Sequence, residues 1–214
     1  MKRYVDYAII LNRINYGERD RIITALGKEY GKITLFAKAV RSEKSRLAGG
    51  VELLCVSELS FIEGRSDLKT LSGSRLIAHY SSIMTDYDRM QLAFEILRTI
   101  AKLTDDGAGQ EYYEVLETFL VSLNNLDVDI SITELWCNLR LLQLGGTLPQ
   151  MEVIDTEGAD KKLFNFDHDA QQFVYHPDGQ FTVNDLKLIK LLVRKSAPVQ
   201  LTAPTGTEQS LARF

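Results

Sequence analysis

Short apolar runs alternate with glycine-bearing turns through the first 80 residues of this 214-residue chain. In the segment ITLFAKAV, every second side chain from Ile33 to Ala39 is aliphatic, which is the two-residue period of a half-buried strand. Five segments of this kind predict strands: Tyr7–Ile14, Arg21–Leu26, Ile33–Val40, Val51–Ile62 and Leu68–Tyr80. Five short strands in about 80 residues predict a small closed β-barrel, for which the OB-fold is the leading candidate.

The apolar period lengthens to that of a helix after Asp86, and four segments predict helices: 86–103, 110–126, 131–146 and 182–195. The stripes expected to be buried are Met90, Phe94, Leu97 and Ala101 in the first helix, Tyr113, Leu116, Leu120 and Leu123 in the second, and Leu135, Leu139 and Leu142 in the third. Two pairs of residues have the spacing of a capping box, Ser131 with Glu134 and Thr182 with Asp185.

A β-hairpin is predicted between the third and fourth helices, at about residues 160–178, from two short apolar segments around a polar turn. Its strands are expected at Leu163–Phe166 and Gln172–Tyr175. The predicted fold class is therefore α+β, with a barrel domain at 1–80 and a helical bundle at 81–214 that carries the inserted hairpin. The tail from residue 197 onward is expected to be extended and partly mobile.

Charge is distributed unevenly along the chain, whose formal net charge is −4. Residues 1–80 carry 14 Lys and Arg against 9 Asp and Glu, a net charge of +5, whereas residues 81–214 carry 11 against 20, a net charge of −9. A basic module on an acidic chain is typical of a protein that meets a polyanion with one module. Chance segregation of surface charge is the alternative.

The sequence carries no pattern typical of an enzyme site. The GAG at 107–109 follows a helix rather than a strand, so it lacks the context of a dinucleotide fingerprint. The segment DHD, Asp167–Asp169, could in principle bind a metal together with His176 across the hairpin, but the polarity of a hairpin turn explains these residues more simply. Cys55 and Cys137 predict buried thiols in a reducing cytoplasm, and no run approaches the roughly 18 apolar residues of a membrane span. We therefore predict a cytoplasmic, non-membrane protein without catalytic residues, cofactor or metal.

The segment FAKAVRSEKSR, residues 36–46, concentrates basic side chains directly after the third predicted strand. A positive surface that follows a nucleic-acid backbone gains affinity by releasing counterions, and an aromatic ring beside it can stack on a base. Phe36 and Lys38 are two residues apart, so we expect them on one strand face. The alternative is that Phe36 belongs to the core and the cations form an ordinary solvated loop. The predicted nucleic-acid contacts are Arg19, Arg21, Lys32, Phe36, Lys38, Arg41, Lys44 and Arg46.

Residues 16–54, YGERDRIITALGKEYGKITLFAKAVRSEKSRLAGGVELL, resemble the amino-terminal region of the RecO family of bacterial recombinational repair proteins. The family pattern has Gly-Glu after the first strand, Glu-x-Gly-Lys before the third, and then Ala-Lys-Gly-x-Arg and Ser-Arg before a glycine. The matching residues are Gly17-Glu18, Glu29, Gly31-Lys32, Ala37-Lys38, Arg41, Ser45-Arg46 and Gly49. Ala39 stands where the family usually has glycine. In the helical half, LRLLQLGGTLPQ resembles the family's Leu-Leu-x-x-x-Gly-x-x-Pro segment.

The resemblance implies an amino-terminal OB-fold and a helical bundle, often with a zinc-binding insertion. It implies binding to single- and double-stranded DNA, with DNA contact carried onto Lys38, Arg41 and Arg46. It further implies annealing of complementary strands and help in loading RecA onto DNA coated by single-strand-binding protein. The implied partners are RecR and the acidic carboxy-terminal tail of the single-strand-binding protein.

One departure concerns the zinc-binding insertion. Residues 150–181 contain no cysteine, so we predict no zinc and a hairpin held by cross-strand aromatic packing. The favoured function is a non-enzymatic DNA-binding mediator of recombination and repair. A protein-interaction scaffold of the repair machinery and an RNA-binding OB-fold protein are the alternatives.

Overall fold

An amino-terminal β-barrel is the main feature of the computed structural model, which describes residues 2–63, 68–105, 109–149, 162–167 and 169–198. Its strands are β1 (Arg3–Tyr16), β2 (Asp20–Gly27), β3 (Gly31–Ala37), β4 (Cys55–Ile62) and β5 (Lys69–His79). The strand order β1-β2-β3-β5-β4 closes because β1 also pairs antiparallel with β4. Five strands closed in this way form the predicted OB-type barrel, and the α+β fold class is confirmed.

Alternation along the strands fills the barrel with aliphatic and aromatic side chains, among them Ile10, Ile23, Leu35 and Phe61. The predicted alternation in β3 is confirmed, since its odd-numbered residues are buried and its even-numbered residues are half-buried. The strand, however, ends at Ala37 rather than Val40. The expectation that Lys38 shares a strand face with Phe36 is therefore wrong, because Lys38 lies in the following turn.

A buried carboxylate fixes the turn between β2 and β3. Asp6 is 3% exposed, and its oxygens accept hydrogen bonds from the backbone N–H groups of Glu29 and Tyr30 at 3.0–3.2 Å. Burial raises the pKa of Asp6, and these N–H donors act in the opposite direction by stabilising the charged form. Gly27 leaves room for this contact, since a Cβ there would lie 2.1 Å from Asp6 Oδ2. The β2–β3 turn is thus tied to β1 by one side chain.

The four helices are α1 (Tyr87–Leu103), α2 (Gln110–Asn124), α3 (Ile130–Leu144) and α4 (Val183–Arg194). By contacts the chain divides into Met1–Asn124 and Asn125–Phe214. The helices α1 and α2 therefore group with the barrel, and α3 and α4 group with the hairpin, so this boundary follows α2. The predicted domain boundary at residue 80 directly follows the last barrel strand, which ends at His79.

The burial of individual side chains shows which of the apolar stripes predicted for the helices face the protein interior. In α2 the expected residues Tyr113, Leu116, Leu120 and Leu123 are all buried, which confirms that stripe. In α1 only Leu97 of the expected four is buried, because the helix turns the face containing Leu92, Ile96 and Ile100 inward. Met90, Phe94 and Ala101 flank that face and are half-buried. The α1 segment is apolar around much of its circumference, and that blurs the periodic signal.

Of the two predicted capping boxes, one is confirmed and the other is wrong. Thr182 and Asp185 form the expected capping box at α4. At α3 the cap is Asp129, whose carboxylate accepts hydrogen bonds from the N–H groups of Ser131 and Ile132, so the proposed Ser131 box is wrong. An ionised Asp accepts these bonds more strongly than a serine hydroxyl, and it lies two residues earlier in the chain.

The predicted hairpin is confirmed as β6 (Leu163–Asp167) and β7 (Gln172–Tyr175), and a third strand, β8 (Phe181–Thr182), completes a sheet of order β7-β6-β8. Aromatic rings pack across its strands as expected: Phe166 with Phe173 at 5.3 Å, and Phe164 with Tyr175 at 6.5 Å. The carboxy-terminal tail expected to be mobile falls mostly outside the described residues. Within the described ranges, no helix has the length and apolarity needed to cross a membrane.

Candidate nucleic-acid interface

Two turns meet at one end of the barrel. The first is residues 17–20, which join β1 to β2 and include the first residue of β2, and the second is residues 38–46 after β3. We name them the basic turn pair. The Arg41 N–H donates to the Arg19 carbonyl at 2.9 Å, and the Ala39 N–H donates to the Asp20 carboxylate at 2.7 Å. The Arg41 guanidinium also donates to the Gly17 carbonyl at 3.3 Å. Cations from two separate segments are therefore held next to each other by backbone contacts.

The second turn is anchored to the barrel at both ends. Val40 is 1% exposed and belongs to the barrel core, against which Leu47 also packs. The Ser74 hydroxyl donates to the Leu47 carbonyl at 2.9 Å, and Gly50 lies so close to Ser74 that a Cβ would come within 2.7 Å. The four cationic residues of the turn are exposed, Lys38 just before the first anchor and Arg41, Lys44 and Arg46 between the two anchors.

The basic turn pair is positive although the whole chain is acidic. It contains five cations, Arg19 and the four residues of the second turn, against the three acids Glu18, Asp20 and Glu43. One of the acids, Asp20, already accepts the Ala39 N–H. Exposed Lys and Arg side chains on an ordered backbone are suited to a polyanion, because each phosphate contact releases condensed counterions.

Arg21 is placed differently from the basic turn pair. Its strand partner is the buried Ala37, whereas Phe36 pairs with Ile22, so Arg21 and Phe36 point to opposite faces of the sheet. Arg21 donates to Asn15 Oδ1 at 3.2 Å and forms an ion pair with Glu52 at 3.5 Å. Arg13, which the sequence did not single out, also pairs with Glu52. Glu52 thus binds both guanidinium groups.

Lys32, like Arg21, makes a side-chain contact away from the basic turn pair. Its Nζ donates to the carbonyls of Ala101, at 3.2 Å, and Thr104 at the carboxy-terminal end of α1. A cation there satisfies free carbonyls and interacts favourably with the helix dipole. Lys32 and Phe36 are four positions apart in β3, a distance of about 13 Å along the strand. The structure therefore does not bring Lys32 to the basic turn pair.

Phe36 lies on the outer face of the barrel, half-buried, beside an aromatic residue that the sequence reasoning missed. The ring of Tyr16 meets the Phe36 ring edge to face, with centroids 5.8 Å apart and planes at 87°. Tyr16 is 56% exposed and is the last residue of β1, directly before the turn of Arg19. An aromatic residue next to a glycine turn was the only sequence signal for it. Phe36 is outside the barrel core, which removes the core alternative for that ring.

Comparison with known proteins agrees with this geometry. Residues 1–80, which contain all five barrel strands, match the family model described as Recombination protein O N terminal. The chain is 33% identical over 125 residues to the DNA repair protein RecO of Myxococcus xanthus, covering 58% of this chain and 51% of that protein. The barrel of this chain belongs to the family of RecO amino-terminal domains.

Two further RecO-family relatives extend the match into the helices. The DNA repair protein RecO of Thermodesulfovibrio yellowstonii is 34% identical over 151 residues, covering 70% of this chain and 60% of its own length. The DNA repair protein RecO of Heliobacterium modesticaldum is 30% identical over 155 residues, covering 72% of this chain and 55% of its own length. The chain thus spans about half to three fifths of the length of these relatives.

Ala39, at the position where the RecO family usually has glycine, has a left-handed φ of 51°. That conformation costs an L-residue roughly 1–2 kcal/mol, and glycine adopts it without this cost. Glycine, however, loses more backbone entropy on folding than alanine, which costs about 0.5–1 kcal/mol. We expect Ala39→Gly to raise the free energy of unfolding by about 0.5–1 kcal/mol in urea titrations. Ala78→Gly, in the extended strand β5, is the matched control and should lower it by a similar amount. An equal loss in both variants would contradict strain at Ala39.

Proposed function

We propose that this chain is a DNA-binding protein of DNA repair in which the basic turn pair holds the phosphate backbone. The observation that supports this most directly is the backbone hydrogen bond from Arg41 to Arg19, because it holds exposed cations of two segments at one end of an OB-type barrel. In OB-folds, the face of the second and third strands and the loop between the first and second bind oligonucleotides. The function in the relatives' names, DNA repair, agrees with this role.

The proposed interface is a subset of the residues predicted from the sequence. Arg21 and Lys32 are left out, because their side chains already hold Glu52 and the end of α1. The remaining phosphate contacts are Arg19, Lys38, Arg41, Lys44 and Arg46, with Phe36 on the adjoining strand. All five cations lie on exposed turns, where a flexible polyanion reaches them without a change in the barrel.

This function needs no catalytic residue. A positive surface that holds two complementary strands at high local concentration promotes their annealing, while base pairing supplies the driving force. We extend the proposal to assistance of RecA loading on DNA coated by single-strand-binding protein, in the cytoplasm. RecR and the acidic tail of the single-strand-binding protein are the proposed protein partners.

A salt titration tests the proposal. Binding to a fluorescent single-stranded DNA should weaken as salt rises, with a slope of log affinity against log salt of about −3 to −4, since about five phosphate contacts contribute roughly 0.7 each. Fluorescence anisotropy measures this slope. An RNA of the same sequence is the control. Tighter binding to RNA would favour the RNA-binding alternative, and salt-independent or absent binding to both would favour a protein scaffold.

A further inference from the structure

We propose that Tyr16 and Phe36 form a platform that stacks an unpaired base, so that the chain prefers single-stranded to double-stranded DNA. The inference rests on the proposed function and adds to it a ligand class, the exposed nucleobase, and a residue, Tyr16. It starts from the fact that these rings pack against each other on the outside of the barrel, 5.8 Å apart.

The position of Tyr16 leaves its ring available to a nucleobase, whereas a ring in the barrel core would be covered by protein. Tyr16 ends β1, and the left-handed Gly17, with a φ of 58°, turns the chain directly after it. The side chain is 56% exposed, so more than half of its surface is free of protein contact. Its contact with Phe36 is edge to face, at an angle of 87° between the ring planes. This contact holds the Tyr16 ring in place while leaving surface on it for a flat ligand.

The surroundings of the two rings combine apolar surface with cations. Ile14 pairs with Ile22, which pairs with Phe36, so the three side chains form an apolar strip on one outer face. Ile14 is 57% exposed. Arg19 and Arg41 lie in the turns at the end of this strip, joined by their backbone hydrogen bond. A base on the strip and its phosphate on the turns match the pattern by which OB barrels hold single strands.

Strand selectivity follows from the geometry of the ligand. In a duplex each base is stacked between its neighbours and paired at its edge, so its face is not available to a protein ring. The phosphates of a duplex remain available to the basic turn pair. The aromatic pair therefore adds affinity for unpaired strands alone, and the cations serve both kinds of DNA.

Another exposed tyrosine provides a matched comparison. Tyr87, 67% exposed in the first turn of α1, contacts Gln91 of its own helix and lies outside the barrel. Tyr87 has the same side chain as Tyr16 and similar exposure. Tyr16, however, packs against Phe36 of the apolar strip and directly precedes the basic turn pair, whereas Tyr87 lies on a helix. Tyr87→Ala therefore controls for the loss of an exposed tyrosine.

The test compares three probes of about 15 nucleotides, the upper range for one OB barrel: oligothymidylate, an abasic strand with the same phosphates, and a blunt duplex. Tyr16→Ala should lower affinity for oligothymidylate about tenfold and leave affinity for the abasic strand and the duplex within about twofold. Tyr16→Phe, which retains a ring, and Tyr87→Ala should behave like the wild type. Thermal unfolding of each variant verifies folding. If Tyr16→Ala fails to fold, the wild type itself still tests the platform, because it should bind oligothymidylate more tightly than the abasic strand.

The outcomes separate the two proposals. Equal wild-type affinity for oligothymidylate and the abasic strand overturns the stacking platform and leaves the phosphate interface standing. An equal loss on both strands in Tyr16→Ala also overturns it, because Tyr16 then only supports the turn. Failure of the wild type to bind any of the three probes overturns the proposed function itself.

Discussion

Replacing both Lys38 and Arg41 by Glu should lower the affinity for single-stranded DNA about 100-fold at about 0.1 M salt. Each lost phosphate contact removes roughly a fivefold gain from counterion release under these conditions, and each new carboxylate adds repulsion. The slope of log affinity against log salt should fall in magnitude by about 1.4. Thermal unfolding should change little, since both side chains are exposed. The substitution removes the contact of the Arg41 guanidinium with the Gly17 carbonyl, but the backbone N–H bonds from Ala39 and Arg41 to the first turn remain. Fluorescence anisotropy and thermal melts measure the two effects.

A charge-matched variant separates position from net charge. Arg98 and Lys102 are exposed on α1, so replacing both by Glu makes the same change in formal charge without touching the turns. This control should change DNA affinity by no more than about threefold, because exposed charges farther away than a Debye length are largely screened. A similar loss in both double variants would assign the effect to overall charge and contradict the proposed interface.

Asp6→Asn should reduce the free energy of unfolding by about 1–3 kcal/mol, although the two side chains are isosteric. The Asp6 carboxylate accepts the N–H groups of Glu29 and Tyr30, and both of its oxygens take part. An asparagine amide keeps one acceptor oxygen and places an NH₂ donor opposite an N–H donor. Asparagine avoids the cost of burying a charge, but it leaves a buried donor unsatisfied. Urea titration followed by circular dichroism measures the loss.

Asp127→Asn is the matched control for this loss, since Asp127 is exposed between α2 and α3. It should change the free energy of unfolding by less than about 0.5 kcal/mol. If Asp6→Asn were equally mild, backbone contacts such as the hydrogen bond from the Lys28 N–H to the Tyr7 carbonyl at 2.8 Å would suffice to hold the β2–β3 turn, and the carboxylate contact would be dispensable.

The barrel could be predicted from the sequence because its signals are local. The alternation in β3 and the glycine turns depend on neighbouring residues, and both were read correctly. The end of β3 was not, because the left-handed conformation of Ala39 has no signature in an alanine side chain. The start of α3 was also predicted wrongly. Asp129 and Ser131 are both common N-cap residues, and the sequence alone does not determine which of them accepts the free N–H groups of the first turn.

The positive charge of the candidate site could be predicted from the sequence, but the contacts that its side chains make could not. The cluster at 38–46 is visible in the sequence as a local excess of cations. The roles of Lys32 and Arg21 depend on Thr104 and Glu52, partners that are distant in the chain and come close only in the folded barrel. Tyr16 became a candidate only when its ring was found against Phe36.

The hydrogen bond between Arg41 and Arg19 has a consequence for the thermodynamics of binding. Ordering the backbone of one residue costs roughly 1–2 kcal/mol, and here that conformational entropy is lost when the barrel folds rather than when a ligand arrives. The side chains of Lys38, Lys44 and Arg46 still extend into solvent from the fixed turn. A rigid frame with adaptable cations accommodates phosphates of any local spacing, so the affinity of this surface should be nearly independent of base sequence.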